Sequence, residues 1–266
     1  MFNLFRKKQE KSHAEDARAQ AIKGVMAQFE RGEGVPLEAA LALHLVEDNK
    51  ESLTRFLIQF GEADLWLLNK GDERMTDPAV TEGGDGMPYI AVFSSRTRAE
   101  SAAGEWQMQN RAEAVSALEL VFALNATSGI VLNSNDPHFQ WAFNPQQVAN
   151  LRTIFEQTYK YELGGIYTVW SQGGYRAVKV LAVDTGGIHI RLYANRWTER
   201  PASIDPAELT MNSEKDGSRA VGHMPVVRKS FLGMGPRSVG NAPVDDSELE
   251  GYAMWAEAKG GYFGTS

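Results

Sequence analysis

Between Tyr175 and Asn195 the chain reads as two alternating segments, YRAVKVLAV and IHIRLYAN, joined by Asp184-Thr185-Gly186-Gly187. Alternation with period two fits a strand, and a short Asp/Gly connection suits a tight antiparallel turn. That hairpin is the strongest constraint in the sequence, because a sheet face that is apolar must be covered. Val178, Val180 and Ala182 are expected to share such a face with Ile188, Ile190 and Leu192. The opposite face then carries Tyr175, Lys179, His189, Arg191 and Tyr193, with Arg196 and Trp197 continuing beyond it. Cations and aromatic rings together are the make-up of a binding surface: Arg chelates carboxylate or phosphate, and Tyr offers a rigid contact. Two states of this face are open. It is wet, or the C-terminal helix covers it and pairs its acids with Lys179 and Arg191.

Around the hairpin the pattern is mixed. Residues 12–31 are amphipathic, with Ile22, Val25, Met26 and Phe29 on one side. Pro36 opens a second helix with Leu37, Ala40, Leu41 and Leu45 inward, and after Asp48-Asn49 a third carries Leu53, Phe56, Leu57 and Phe60. From Asp64 short apolar runs, DLWLL and MPYIAVF, indicate strands separated by a polar loop. Thr97 with Glu100, and Asn110 with Glu113, have capping-box spacing, and Val115, Leu118, Val121 and Phe122 are the expected inner face of the second helix. GIVLN and FQWAF follow as strands, and Asn144-Pro145-Gln146-Gln147 as a helix start whose inner stripe is Val148, Leu151 and Phe155. Residues 217–240 read as a loop, because Pro225 and Pro236 limit regular structure, and Ser247 with Glu250 is the expected cap of a last helix.

The pieces Phe93-Ser94-Ser95, Gly129 to Asn133 and FNPQQVANL resemble the N-terminal domain of the SseB (enhanced serine sensitivity) family. That family has a strand ending in a Phe-Thr-Ser-like motif, a later strand ending in Asn-Pro, and a helix opened by Pro. Ser134 stands here where the family has Pro. The resemblance spans roughly residues 62–158. C-terminal to it, YRAVKVLAVD, GIHIRLYANRWTERP and ELEGYAMWAEAKGGYF resemble a module of uncharacterised bacterial proteins. The expected fold is α+β: an N-terminal helical segment (1–61), an SseB-like mixed sheet covered by helices (62–162), and a β-rich C-terminal module closed by a helix (163–266). The resemblance brings no active site. It implies a bacterial, cytoplasmic, non-catalytic protein that partners other machinery, including regulation of serine or sulfur metabolism through an enzyme.

Composition and motifs narrow the function. A net charge of −7 opposes general nucleic-acid binding, and the absence of Cys removes disulfides, thiolate nucleophiles and the usual zinc sites. No apolar run reaches the length of a membrane span, and MFNLFRKK places its charges after its apolar residues, unlike a signal peptide. No phosphate-binding loop, dinucleotide fingerprint, His-Glu-x-x-His or nucleophile elbow occurs, so no catalytic residue and no cofactor are assigned. His189 and His223 with Asp184 or Asp205 lack metal-site spacing, and Asp205 with Glu208 fits a helix start better than an acid–base pair. The acidic run Asp245, Asp246, Glu248 and Glu250 reads either as a helix N-terminus or as a surface for a basic partner. The leading expectation is a protein that binds another bacterial protein, in its sharpest form an immunity protein neutralising a secreted toxin. The alternative is an enzyme or nucleotide-binding protein that uses Lys179, His189, Arg191 and Tyr193 around a phosphate.

Overall fold

A computed structural model describes residues 2–109, 111–212 and 219–264, with side chains from Glu15 onward. In chain order the elements are α1 (Phe2–Glu30), α2 (Pro36–Glu47), α3 (Lys50–Glu62), β1 (Asp64–Asn69), β2 (Val80–Glu82), β3 (Pro88–Phe93) and α4 (Arg96–Glu105). Then come β4 (Arg111–Ser116), α5 (Ala117–Ala123), β5 (Gly129–Leu132), β6 (Trp141–Phe143) and α6 (Pro145–Thr158). The remainder is β7 (Gly165–Ser171), β8 (Gly174–Val183), β9 (Ile188–Trp197), β10 (Val221–Val226), α7 (Arg228–Gly233), β11 (Arg237–Asn241) and α8 (Glu250–Glu257). The fold is α+β, with N-terminal helices and a β-rich C-terminal region ending in a helix. The chain forms two compact units, 1–117 with 125–149 and 118–124 with 150–266.

In the first unit the sheet order is β4-β1-β3-β5-β6, with β2 also on β3. β3 and β5 are parallel and the other pairs antiparallel. Pairing places Ala91 beside Val131 on one face, where Ala99 and Ala102 of α4 pack with Phe93, Leu68 and Trp106. Ile130 and Phe143 share the other face, and Phe56 and Phe60 of α3 stack on Phe143 at 6.1 and 5.0 Å. Asn49 caps α3 in a reciprocal box with Ser52, as a short polar residue before an apolar run should.

The carboxyl ends of the two parallel strands are tied together by side chains. The amide N–H and hydroxyl of Ser94 both reach Asn133 Oδ1 at 3.0 Å. Asn133 is 0% exposed and left-handed at φ 56°, a conformation that Asn tolerates better than other residues with a side chain. Ser94 also meets Glu38 of α2, and Arg98 bridges Glu38 at 2.8 Å and Asp136 at 3.1 Å. Helix, strand and loop are thus fastened at one point.

Several local expectations are corrected. Phe29 is exposed, while Ile22 and Val25 of the same stripe are buried. Val115 lies in β4, paired with Leu65, and the helix starts at Ala117; the Asn110 cap lies outside the described residues. Ser95, and not Thr97, caps α4. The polar loop before β3 contains β2. Residues 217–240, expected as loop, hold β10, α7 and β11; Pro225 is tolerated because β10 lies at a sheet edge, where a missing N–H costs little. The Asn144–Gln147 box forms as expected, with both hydrogen bonds at 2.8 Å.

Replacing Asn133 by Ala is expected to destabilise the first unit by about 2–4 kcal/mol, since both Ser94 bonds are lost and a Cβ residue is left at positive φ. Asn133→Gly should cost less, because it removes the bonds and relieves the backbone. Urea denaturation of the three proteins checks the order.

Candidate functional site

The second unit is built on the order β10-β9-β8-β7-β11, antiparallel throughout. Val178 opposite Leu192 and Val180 opposite Ile190 form the expected apolar face, which packs with Tyr167, Val169, Val226 and Phe231. One side chain changes sides. A bulge between Val180 and Ala182 shifts the register, so Ala182 pairs with His189 and joins the other face.

That other face is covered. His189 is 0% exposed, Lys179 4%, Tyr175 4% and Tyr193 7%. Tyr193 packs with Ile166, Ala177, Ile204 and Val239, and Trp197 lies against the same cluster. Tyr175 meets Trp170 edge-on at 4.9 Å beneath the Arg200 guanidinium, 4.6 Å from its ring centroid. Arg196 is exposed and donates to the Gln172 carbonyl at 2.9 Å. The structure therefore brings Lys179, His189, Arg191 and Tyr193 together and sets Arg196 apart from them.

Over Lys179, His189 and Arg191 the cover is the segment 245–263. Asp245 caps a 3₁₀ turn (Asp246–Leu249) in a reciprocal box with Glu248, two residues before the expected cap at Ser247. The box aims Glu248 at the sheet. Its Oε2 accepts from Lys179 Nζ at 2.6 Å and from the Asp245 N–H at 2.9 Å, and its Oε1 from Arg191 Nη1 at 2.8 Å. Lys179 Nζ also donates to the Pro243 carbonyl at 2.7 Å. Burial pushes the Glu248 carboxyl up, but the Lys179 and Asp245 bonds and the two cationic charges outweigh it and hold it below the usual range.

Next to this pair lies a chain of polar groups at the hairpin turn. Asp184 accepts from the Gly186 and Gly187 N–H groups at 2.9 Å, from Tyr262 Oη at 2.5–2.6 Å, and from His189 Nε2 at 3.0 Å. Burial raises the Asp184 carboxyl, yet these four donors pull it well below the ordinary value. The other ring nitrogen of His189 meets His223 Nε2 at 2.9 Å, with the two rings nearly parallel. Burial, and then the neighbouring His189, hold His223 below its usual value, while burial and the Asp184 bond push Tyr262 up to about 12. Tyr252, Trp255 and Tyr262 pack their rings around His189 at 4.7, 4.5 and 5.6 Å. Gly186 is required at the turn: a Cβ there would lie 2.6 Å from the Tyr262 ring.

Chemically this is an internally satisfied site. Both cations that were candidates for phosphate already hold one carboxylate. His189 and His223 contact each other and Asp184, and no group of three metal-ligating side chains clusters among the described residues. Asp205 caps the turn Pro206–Glu208, as a helix-start reading implies. The open depression lined by Glu156, Gln157, Arg228 and Lys229 contains none of the candidate residues.

Sequence reasoning did not single out Arg176 or Tyr262 at this site. Arg176 is 1% exposed and donates to the carbonyls of Tyr193 and Arg219 at 2.5 and 2.8 Å, beside a second register shift of the hairpin. No local pattern marks it, because these two acceptors are backbone carbonyls 17 and 43 residues away. Tyr262 lies in KGGYF, where nothing local points to Asp184, 78 residues away.

Replacing Glu248 by Gln should cost about 3–5 kcal/mol at neutral pH, because buried Lys179 and part-buried Arg191 lose their counter-charge. The folded carboxyl titrates below its unfolded value, so this stability is present above the unfolded value and is lost as pH falls through the folded one. Wild type and Glu248→Gln are therefore expected to converge in acid. Denaturant titrations at several pH values measure it.

Residues 37–150 match the family model for the SseB protein N-terminal domain. The match starts earlier than the resemblance over 62–158 suggested and takes in α2, which supplies Glu38 to the Ser94–Asn133 junction. Ser94 and Asn133, on the two motif strands, are the residues that fasten those strands together. Comparison with curated proteins and with solved structures returned no match. Among the described residues no helix is long and apolar enough to cross a membrane.

Proposed function

We propose that this chain, which carries an SseB-type N-terminal domain, is a non-catalytic protein of the bacterial cytoplasm that binds another protein through the outer face of α8. One observation carries the reading. α8 is anchored inward by Tyr252 and Trp255, yet Met254 points outward and is 72% exposed. Ala253 is exposed next to it, and exposed Glu250 and Glu257 flank the pair at helical spacing. A flexible thioether on a fixed helix, bordered by acids, suits a partner that offers an apolar pocket rimmed by Lys or Arg. Asp245 and Asp246, also exposed, extend the negative border.

Neutralisation of a secreted toxin is the sharpest form of this reading, since a basic toxin surface would meet these acids. Regulation of a serine- or sulfur-metabolism enzyme would use the same surface on a different partner. The cationic hairpin face supports neither form, and it supports a phosphate-binding enzyme no better, because Glu248 already occupies it.

The test is affinity capture of the tagged full chain from bacterial lysate, with three baits. Wild type should retain one protein in stoichiometric amount, and Met254→Lys should lose it at least tenfold. Ile58→Lys, at an exposed apolar position of the other unit, should keep it. Retention by Met254→Lys, or no stoichiometric protein on wild type, would refute this surface.

A further inference from the structure

The polarity of the hydrogen bonds at the hairpin turn fixes where protons sit. Ionised Asp184 only accepts, so His189 Nε2 must carry a hydrogen. A neutral His189 then has a bare Nδ1, and the 2.9 Å contact to His223 Nε2 requires the hydrogen to be on His223. What remains is the Nδ1 lone pair of His223, which is only partly buried. This chain can take up one proton, at His223 Nδ1, with every bond kept. A second proton has only His189 Nδ1 to go to, where N–H would face N–H and the contact between the rings would break.

We propose that the Asp184–His189–His223 chain is a proton-operated latch that holds the segment 249–263 on the sheet and releases it in mild acid. The segment depends on these rings. Tyr252, Trp255 and Tyr262 pack on His189, and a Cβ at Gly251 would lie 2.5 Å from His223, so the α8 backbone rests directly on that side chain. When the segment lifts, both rings reach water and the N–H-to-N–H conflict that bars the second proton is gone. The closed form takes up at most one of these two protons, so it binds at least one fewer than the open form once the histidines charge. Opening is therefore favoured as pH falls, at least tenfold in its equilibrium constant for each pH unit below about 6.5.

The titratable and charged groups around the pair fit this sign. Asp184 and Tyr262 lie at one end, with Arg228 of α7 donating to the Asp184 carbonyl at 2.8 Å. Tyr252 faces both rings from α8. Two residues along β9, Arg191 is already matched by Glu248 from the 3₁₀ turn, together with Lys179 of β8. Asp184 stays ionised throughout the range, so the histidines alone change charge there.

The latch rests on contacts within the chain and is independent of the partner reading. Hydrogen exchange with mass spectrometry on the purified full chain, from pH 8 to 5 and corrected for intrinsic rates, tests it. Peptides within 249–263 should lose protection at least tenfold per pH unit below about 6.5, while β8 keeps its own. His223→Phe preserves a stacked ring but removes both the N–H that meets His189 Nδ1 and one of the two proton sites, so the slope should flatten. His138→Asn, in the other unit, should leave the slope unchanged. The proposal fails if 249–263 is unprotected at pH 8, if its protection does not depend on pH, if β8 falls in parallel, or if His223→Phe keeps the slope.

Discussion

A carboxylate lowered into a cationic pocket is the interaction on which the second unit depends. Without Glu248, Lys179 and Arg191 would sit as like charges opposite each other on neighbouring strands, with Lys179 buried. Desolvating charges is expensive, and the pairing offsets that cost only when geometry is good and the remaining bonds are made. Here they are: both oxygens of Glu248 are used, and the Pro243 carbonyl takes a further hydrogen from Lys179. The reciprocal box with Asp245 holds the acid in one place. Only one seating of the 3₁₀ turn meets all these demands, so the charges set the register of the cover more than they add to its stability.

The first unit solves a related problem. Glu38 enters from α2 to meet Ser94 and Arg98, and Glu113 of β4 accepts from Asn69 and Arg74 at 3.0 and 3.1 Å. Each of these acids is nearly buried, and each links segments more than thirty residues apart. The apolar layers determine that the helices lie on the sheet. The acids determine where.

That division explains what could be read in advance. The hairpin, the helix-opening Asn144 box and the strands around Phe93 and Ile130 follow from neighbours in sequence, through alternation and capping. Val115 escaped because an apolar residue three before Leu118 has helical spacing whether or not the chain is helical there; pairing with Leu65 decided for strand. Pro225 argued against a strand, and only its edge position made one acceptable. For the candidate site, the grouping of Lys179, His189, Arg191 and Tyr193 on one face was legible from period two. Their burial was one of two open alternatives, since Glu248 lies 57 residues from Arg191 and 69 from Lys179. The bulge at Leu181 and the buried Arg176 had no signature, because both answer to backbone geometry.

Phe263 has a further consequence. Its N–H donates to the Pro225 carbonyl at 2.8 Å and its carbonyl accepts from Val227 at 3.0 Å, alongside β10. β10 is the outermost strand on that side, and its Pro supplies no donor of its own. An unpaired strand margin is a template on which other chains can polymerise. By occupying the acceptor that Pro225 leaves open, Phe263 closes this stretch of the margin, so the segment that covers the hairpin also takes away part of a surface for fibre growth.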